Sequence, residues 1–138
     1  MLLQLIWLAA LMAVMVVIHT LWSLHILRII PGKIDSSVLL VTMLVRICVS
    51  MLMIHFVEAA CFAFFYYWLS GFNDISTAVY FSLASYATVG YGDILLPPDL
   101  RIIGAAEGLV GALLAGWTVA LLARVLSTIR PDAKQHSI

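Results

Sequence analysis

The residues best suited to do chemistry are the six from Thr88 to Asp93, in the order Thr-Val-Gly-Tyr-Gly-Asp. Their chemistry would be that of backbone oxygens. Gly90 and Gly92 permit positive φ without a Cβ clash, so successive carbonyls can be turned toward one axis. A stack of such oxygens can replace the water around a dehydrated cation. The Thr88 hydroxyl would add oxygen at the inner end, and Asp93 would place negative charge at the outer mouth. Val89 and Tyr91 would turn away from the axis and pack against their surroundings. Three more groups stand out because they are ionisable in apolar sequence: His55, Glu58 and Glu107. Such groups usually face protein or water when they lie within a membrane.

The elements that must position these residues are long and apolar. The chain has 138 residues, 64% hydrophobic and 10% charged, and its mean hydropathy is +1.14. Soluble domains run near half apolar and a quarter charged, so this is a membrane chain with room for three or four crossings. Seven basic and seven acidic side chains cancel, leaving no basic field for nucleic acid. Cys48 and Cys61, thirteen residues apart in one apolar stretch, are about 20 Å apart if that stretch is helical, too far for a bridge. A secreted enzyme, a disordered tail and a zinc finger are excluded. No nucleophile–base pair, P-loop or HExxH motif suggests an enzyme.

The first apolar run, Leu2 to Ile30, carries no basic residue before Arg28 and ends at Pro31-Gly32, so it reads as a retained helix and not a signal peptide. Its histidines, His19 and His25, fall on different faces and predict polar contacts within a bundle and no metal pair. The second run, about Val38 to Leu69, closes on Phe62, Phe64, Phe65, Tyr66, Tyr67 and Trp68, which reads as an interfacial aromatic belt. The last, about Leu100 to Ile129, is bracketed by Pro97-Pro98 and Pro131. Between them, Ile75 to Ala87 makes a helix of about 20 Å, too short for a hydrocarbon core of about 30 Å. It is a re-entrant segment, and the glycine-rich stretch after it must be buried in protein or line a wet path.

A dip and return sends the flanking spans across in opposite directions. The connecting side then holds Arg101 against Asp74, Asp93 and Asp99, and the other side holds Arg28, Lys33, Arg46, Arg124, Arg130 and Lys134. The positive-inside rule puts the basic set in the cytoplasm and the mouth outside. Glu58 lies about 16 Å below the outer end of its span and Glu107 about 13 Å inside its own. His55 and Glu58, three apart on one helix face, could bond each other. These carboxylates suggest either a buried polar clamp between helices, the favoured reading, or a proton-sensitive gate.

Thr88 to Gly92 spells the TVGYG filter, and from Glu58 to the end of the last span the chain resembles the pore domain of the potassium channel superfamily. It is similar to small bacterial ion channels with a two-helix pore and one extra N-terminal helix. The matching residues are Tyr80-Phe81-Ser82-Leu83, Thr88 to Asp93, Arg101, Glu107 and Gly111. The resemblance implies an all-α membrane protein with three transmembrane helices, a re-entrant pore helix and a filter loop. Residues 1–37 would be the N-terminal helix and a cytoplasmic loop, 38–130 the pore domain and 131–138 a short cytoplasmic tail. Within the pore domain lie an outer helix 38–70, a pore helix 75–87, a filter 88–93 and an inner helix 100–129.

The resemblance further implies a homotetramer in the lipid bilayer of a bacterial inner membrane, with K+ as the permeant ion and no cofactor. Filter oxygens come from Thr88, Val89, Gly90, Tyr91 and Gly92. Tyr80 and Ser85 would support the filter, and Tyr80 stands where relatives often carry a Trp reaching the acid that Asp93 matches. Gly111 falls at the inner-helix hinge, although its neighbours Gly104, Gly108, Ala112, Gly116 and Ala120 also form a row suited to close packing. Ala87 departs from the second Thr of many relatives, and Ala84 from the Glu that some carry behind the filter. A weakly selective cation channel and a non-conducting assembly or regulatory subunit are the alternatives.

Overall fold

The computed structural model describes residues 2–31, 34, 36–69 and 71–129. The expected tail 131–138 and the basic residues Lys33, Arg130 and Lys134 lie outside them. The described residues fold into four helices, α1 (Leu2–Ile29), α2 (Ser37–Trp68), α3 (Ile75–Tyr86) and α4 (Arg101–Thr128). Three are long and apolar enough to cross a membrane: Gln4–Ile29, Ser37–Trp68 and Arg101–Thr128. At 1.5 Å per residue the 12 residues of α3 reach about 18 Å, well short of a span. The fold is an all-α membrane architecture.

Helix boundaries follow local chemistry. Ser36 caps α2, its hydroxyl accepting from Leu39 N at 3.5 Å. Asp74 caps α3 and accepts from Thr77 N at 2.8 Å and the Ser76 hydroxyl at 2.6 Å. Those bonds, from Ser76 first, hold its carboxyl down at about 2. α3 stops at Tyr86, one residue before the expected end, because Ala87 is its cap and Thr88 turns to φ +58°. The turn before α4 closes through Leu100 N to Pro97 O at 2.9 Å, and Arg101 Nε donates to Leu96 O at 3.2 Å.

Two layers of side chains join the helices. One holds Met15, Phe62, Tyr66, Tyr86, Ile103 and Val110 around the upper half of α3 and α4. The other holds Ile26, Ile47, Met51, Leu121, Val125 and Ile129 at the far end. In lipid such contacts are held by close packing and not by exclusion of water. α1 lies against α2 and α4 of its own chain: Trp7 meets Trp68 edge-on with centroids 5.7 Å apart, and His19 meets Trp117 at 5.4 Å.

The aromatic cluster divides between two faces of α2. Phe62, Phe65 and Tyr66 are buried, while Phe64, Tyr67 and Trp68 are exposed. A helix repeat of about 3.6 residues divides six consecutive-looking aromatics between two faces. Tyr66 is the centre of the inward group, with Phe65, Phe72 and Phe81 rings edge-on around it at 6.2, 6.4 and 5.5 Å.

Candidate functional site

The loop after α3 alternates in hand. Thr88, Gly90 and Gly92 have φ of +58°, +53° and +76°, and among the described residues no others are positive. Val89 and Tyr91 between them stay negative. Two of the three positions are glycine, as positive φ favours. Thr88 was not foreseen; as a β-branched residue it is held there against its preference. Its restraint is visible: Thr88 N donates to Ser85 O at 2.9 Å, and Val89 N and Gly90 N donate to Ala84 O at 2.9 and 3.1 Å. The carboxyl end of α3 therefore captures the first three amides of the loop. An alternation of hand at every second residue is the backbone pattern by which successive carbonyls share one side.

Beyond the loop's first half, support within the chain is sparse. Tyr80 donates its hydroxyl to Asp93 Oδ2 at 2.7 Å, and Asp93 Oδ1 accepts from Ile94 N at 3.1 Å. Ser85 contributes its backbone carbonyl. Val89 and Tyr91 are 51% and 72% exposed, so the packing expected of them is not made within one chain. A Cβ built on Gly90 or Gly92 would meet nothing within 4 Å.

Behind the loop two buried carboxylates tie the helices together. Glu107 of α4 accepts from the Tyr66 hydroxyl of α2 at 2.7 Å, and its other oxygen contacts the Ser82 hydroxyl of α3. The Ser82 oxygen is also 2.6 Å from Ala59 O. Glu58 of α2 is met by the Tyr86 hydroxyl of α3, by His55 Nδ1 at 3.1 Å and by His19 Nδ1 of α1 at 2.9 Å. His55 Nε2 lies 2.9 Å from the Thr118 hydroxyl of α4, so this second cluster joins all four helices. The expected pairing of His55 with Glu58 is present, and the arrangement is a clamp. His19, Tyr66, Ser82, Tyr86 and Thr118 were missed as its members. His25, by contrast, is exposed.

Gly111 sits where α4 crosses α3. A Cβ there would lie 2.0 Å from the Tyr86 carbonyl oxygen, and one on Gly108 would lie 3.2 Å from that of Ser85. The helix runs through Gly111 without interruption, and the close approach of α3 leaves no room for a side chain there. Lower on the row, Ala112, Gly116 and Ala120 are exposed. Ala87, Thr88, Gly111, Ala112 and Ala115 line a cavity of about 250 Å³, with His55 in its wall.

Comparison with curated proteins and with solved structures finds no match. A family profile described as ion channel matches residues 52–128. The match takes in most of α2, all of α3, the alternating loop and all of α4, and it leaves α1 outside. Together with three helices able to cross a membrane, it identifies the chain as an integral membrane protein of the ion channel family, with a pore domain of the potassium-channel type.

Proposed function

We propose that the protein is a potassium-selective channel that passes K+ down its gradient through a homotetrameric pore. The observation that carries this reading is the alternation of φ at Thr88, Gly90 and Gly92. It turns the Thr88–Gly92 carbonyls into a ladder of oxygens able to replace the hydration of K+. One chain supplies one ladder, and a cage needs several around an axis; cyclic symmetry provides four. The exposed flanks of Val89 and Tyr91, and the small face of Ala112, Gly116 and Ala120, are then surfaces for neighbouring copies or for the cavity. Tyr80 steadies the mouth through Asp93, and the Glu107 and Glu58 clusters hold α3 at its depth. Arg28, Arg46 and Arg124 mark the cytoplasmic side of a bacterial inner membrane, and the Asp74–Asp99 side faces out.

The test is K+ flux from liposomes holding the purified protein, beside its particle mass in detergent. A particle of four chains, with K+ efflux that exceeds Na+ efflux, is expected. Equal K+ and Na+ efflux would establish the weakly selective alternative. A monomer without flux would leave only a non-conducting membrane subunit.

A further inference from the structure

The cluster around Glu58 ties the helices together and is also a set of metal-ligating side chains. His19 Nδ1 is 2.9 Å from Glu58 Oε1, and His55 Nδ1 is 3.1 Å from Glu58 Oε2. One ligand atom from each of the three residues lies within 4.8 Å of the others. His19 and Glu58 are fully buried, and the His55 side chain is 22% exposed. We propose that His19, His55 and Glu58 form a binding site for a single divalent transition-metal cation of the zinc type.

Three observations support this. The first is the donor set. Two imidazoles and one carboxylate suit Zn2+ and its neighbours, whereas K+, Mg2+ and Ca2+ prefer oxygen alone. The second is spacing. A tetrahedral zinc with bonds near 2.0–2.1 Å separates its ligand atoms by about 3.3 Å. The two measured separations are within a few tenths of an ångström of that, so admission of the ion asks for a small opening and no new fold.

The third is the outer shell. Thr118 Oγ1 lies 2.9 Å from His55 Nε2 and 3.4 Å from His19 Nε2. With a metal on both Nδ1 atoms, each Nε2 carries its hydrogen, and both donate to the two lone pairs of Thr118. That outer-shell arrangement is the usual one for metal-bound histidines. The Tyr86 hydroxyl, on Glu58, steadies the carboxylate in the same way, and it or a water can fill the fourth position. Without a metal, one proton on either imidazole, or a hydrogen bond from the Tyr86 hydroxyl to His55 Nδ1, 2.9 Å away, satisfies the same atoms, so the Co2+ titration decides between them.

The cavity beside Thr88, with His55 in its wall, gives the ion a way in. Once bound, the metal bolts α1 to α2 directly and α3 and α4 through Tyr86 and Thr118. Metal binding here needs no ion flux through the filter, so its failure and the failure of the channel reading are separable.

The experiment uses the full chain in detergent, with His25→Gln, His136→Gln, Cys48→Ser and Cys61→Ser removing other ligands. It is titrated with Co2+ at a pH near 8, where protons compete little. The expected result is the visible absorption of four-coordinate Co2+ at one ion per chain, displaced by Zn2+ but not by Mg2+ or Ca2+. His19→Ala and His55→Ala should each remove it. Thr118→Val keeps every ligand and should weaken Zn2+ binding about 10- to 100-fold. Circular dichroism reports which variants are folded, and the Thr118→Val affinity decides the matter even where a ligand variant is not. Absence of Co2+ uptake, with a melting point that responds to pH alone, would mean that the cluster takes a proton only and would overturn the proposal. So would absorption that survives in a folded His55→Ala protein.

Discussion

The short helix α3 and the loop that follows it adjoin in sequence and contrast in packing. Ala78, Ser82 and Tyr86 are buried, and Ser82 and Tyr86 hydroxyls reach carboxylates on two other helices. From Thr88 to Asp93 every residue is exposed. The scaffold behind the loop is packed within one chain, while the loop itself finds little packing there. The same division runs down α4: Gly108 and Gly111 are pressed against α3, and Gly116 meets nothing. A glycine in the scaffold is there for contact, and a glycine in the loop is there for φ.

Substitution can break or sharpen this contrast. Gly111→Val should have the largest effect, because its Cβ would fall 2.0 Å from the Tyr86 carbonyl oxygen in backbone that cannot yield. The expected cost lies at or above the ~3 kcal/mol upper end of overpacking, read as loss of folded protein in a thermal melt of the detergent-purified chain. Ser82→Ala comes next. It removes the donor that Ala59 O and Glu107 share, and leaving buried acceptors unmet costs about 1–3 kcal/mol. Gly90→Val should cost the fold only about 1–2 kcal/mol for its positive φ, since nothing crowds the position, yet it should abolish K+ flux from liposomes. A fold lost at Gly90 and kept at Gly111 would reverse the contrast.

Gly116→Ala should be neutral, or raise the melting point through better helix propensity, with particle mass unchanged. An effect confined to one helix cap is expected at Asp74, whose carboxyl is held below its ordinary value of 3.8. A lowered folded value means that its cap contributes fully above the unfolded value and is lost as pH falls through about 2. Asp74→Ala should therefore melt lower than the parent above about pH 4 and match it only at the acid end, as a melting series across pH would show.

Much of this was legible in the sequence because membrane helices need length and apolarity, and both are written plainly. The short segment Ile75–Ala87 declared itself by failing to span, and Gly90 and Gly92 declared the sign of φ. The helix faces were not legible. Met15, His19 and Ile26 form one buried stripe of α1, but the residues that face lipid are just as apolar, so no periodicity separates the two. His19 therefore could not be paired with Glu58 across 39 residues. The two faces of the aromatic run ending α2 were hidden for the same reason, since rings that face Tyr66 and rings that face outward are chemically alike. Thr88 was hidden differently: its φ is imposed by amide bonds to Ser85 and Ala84 carbonyls, which only the folded turn brings into reach.

The most direct measurement is the reversal potential of current through the purified protein in a planar bilayer, with K+ on one side and an equal concentration of Na+ on the other. Oxygens spaced by the Thr88–Gly92 backbone should favour K+ strongly, and the current should reverse far toward the K+ equilibrium potential. A reversal near zero, or toward Na+, would contradict the account of the filter.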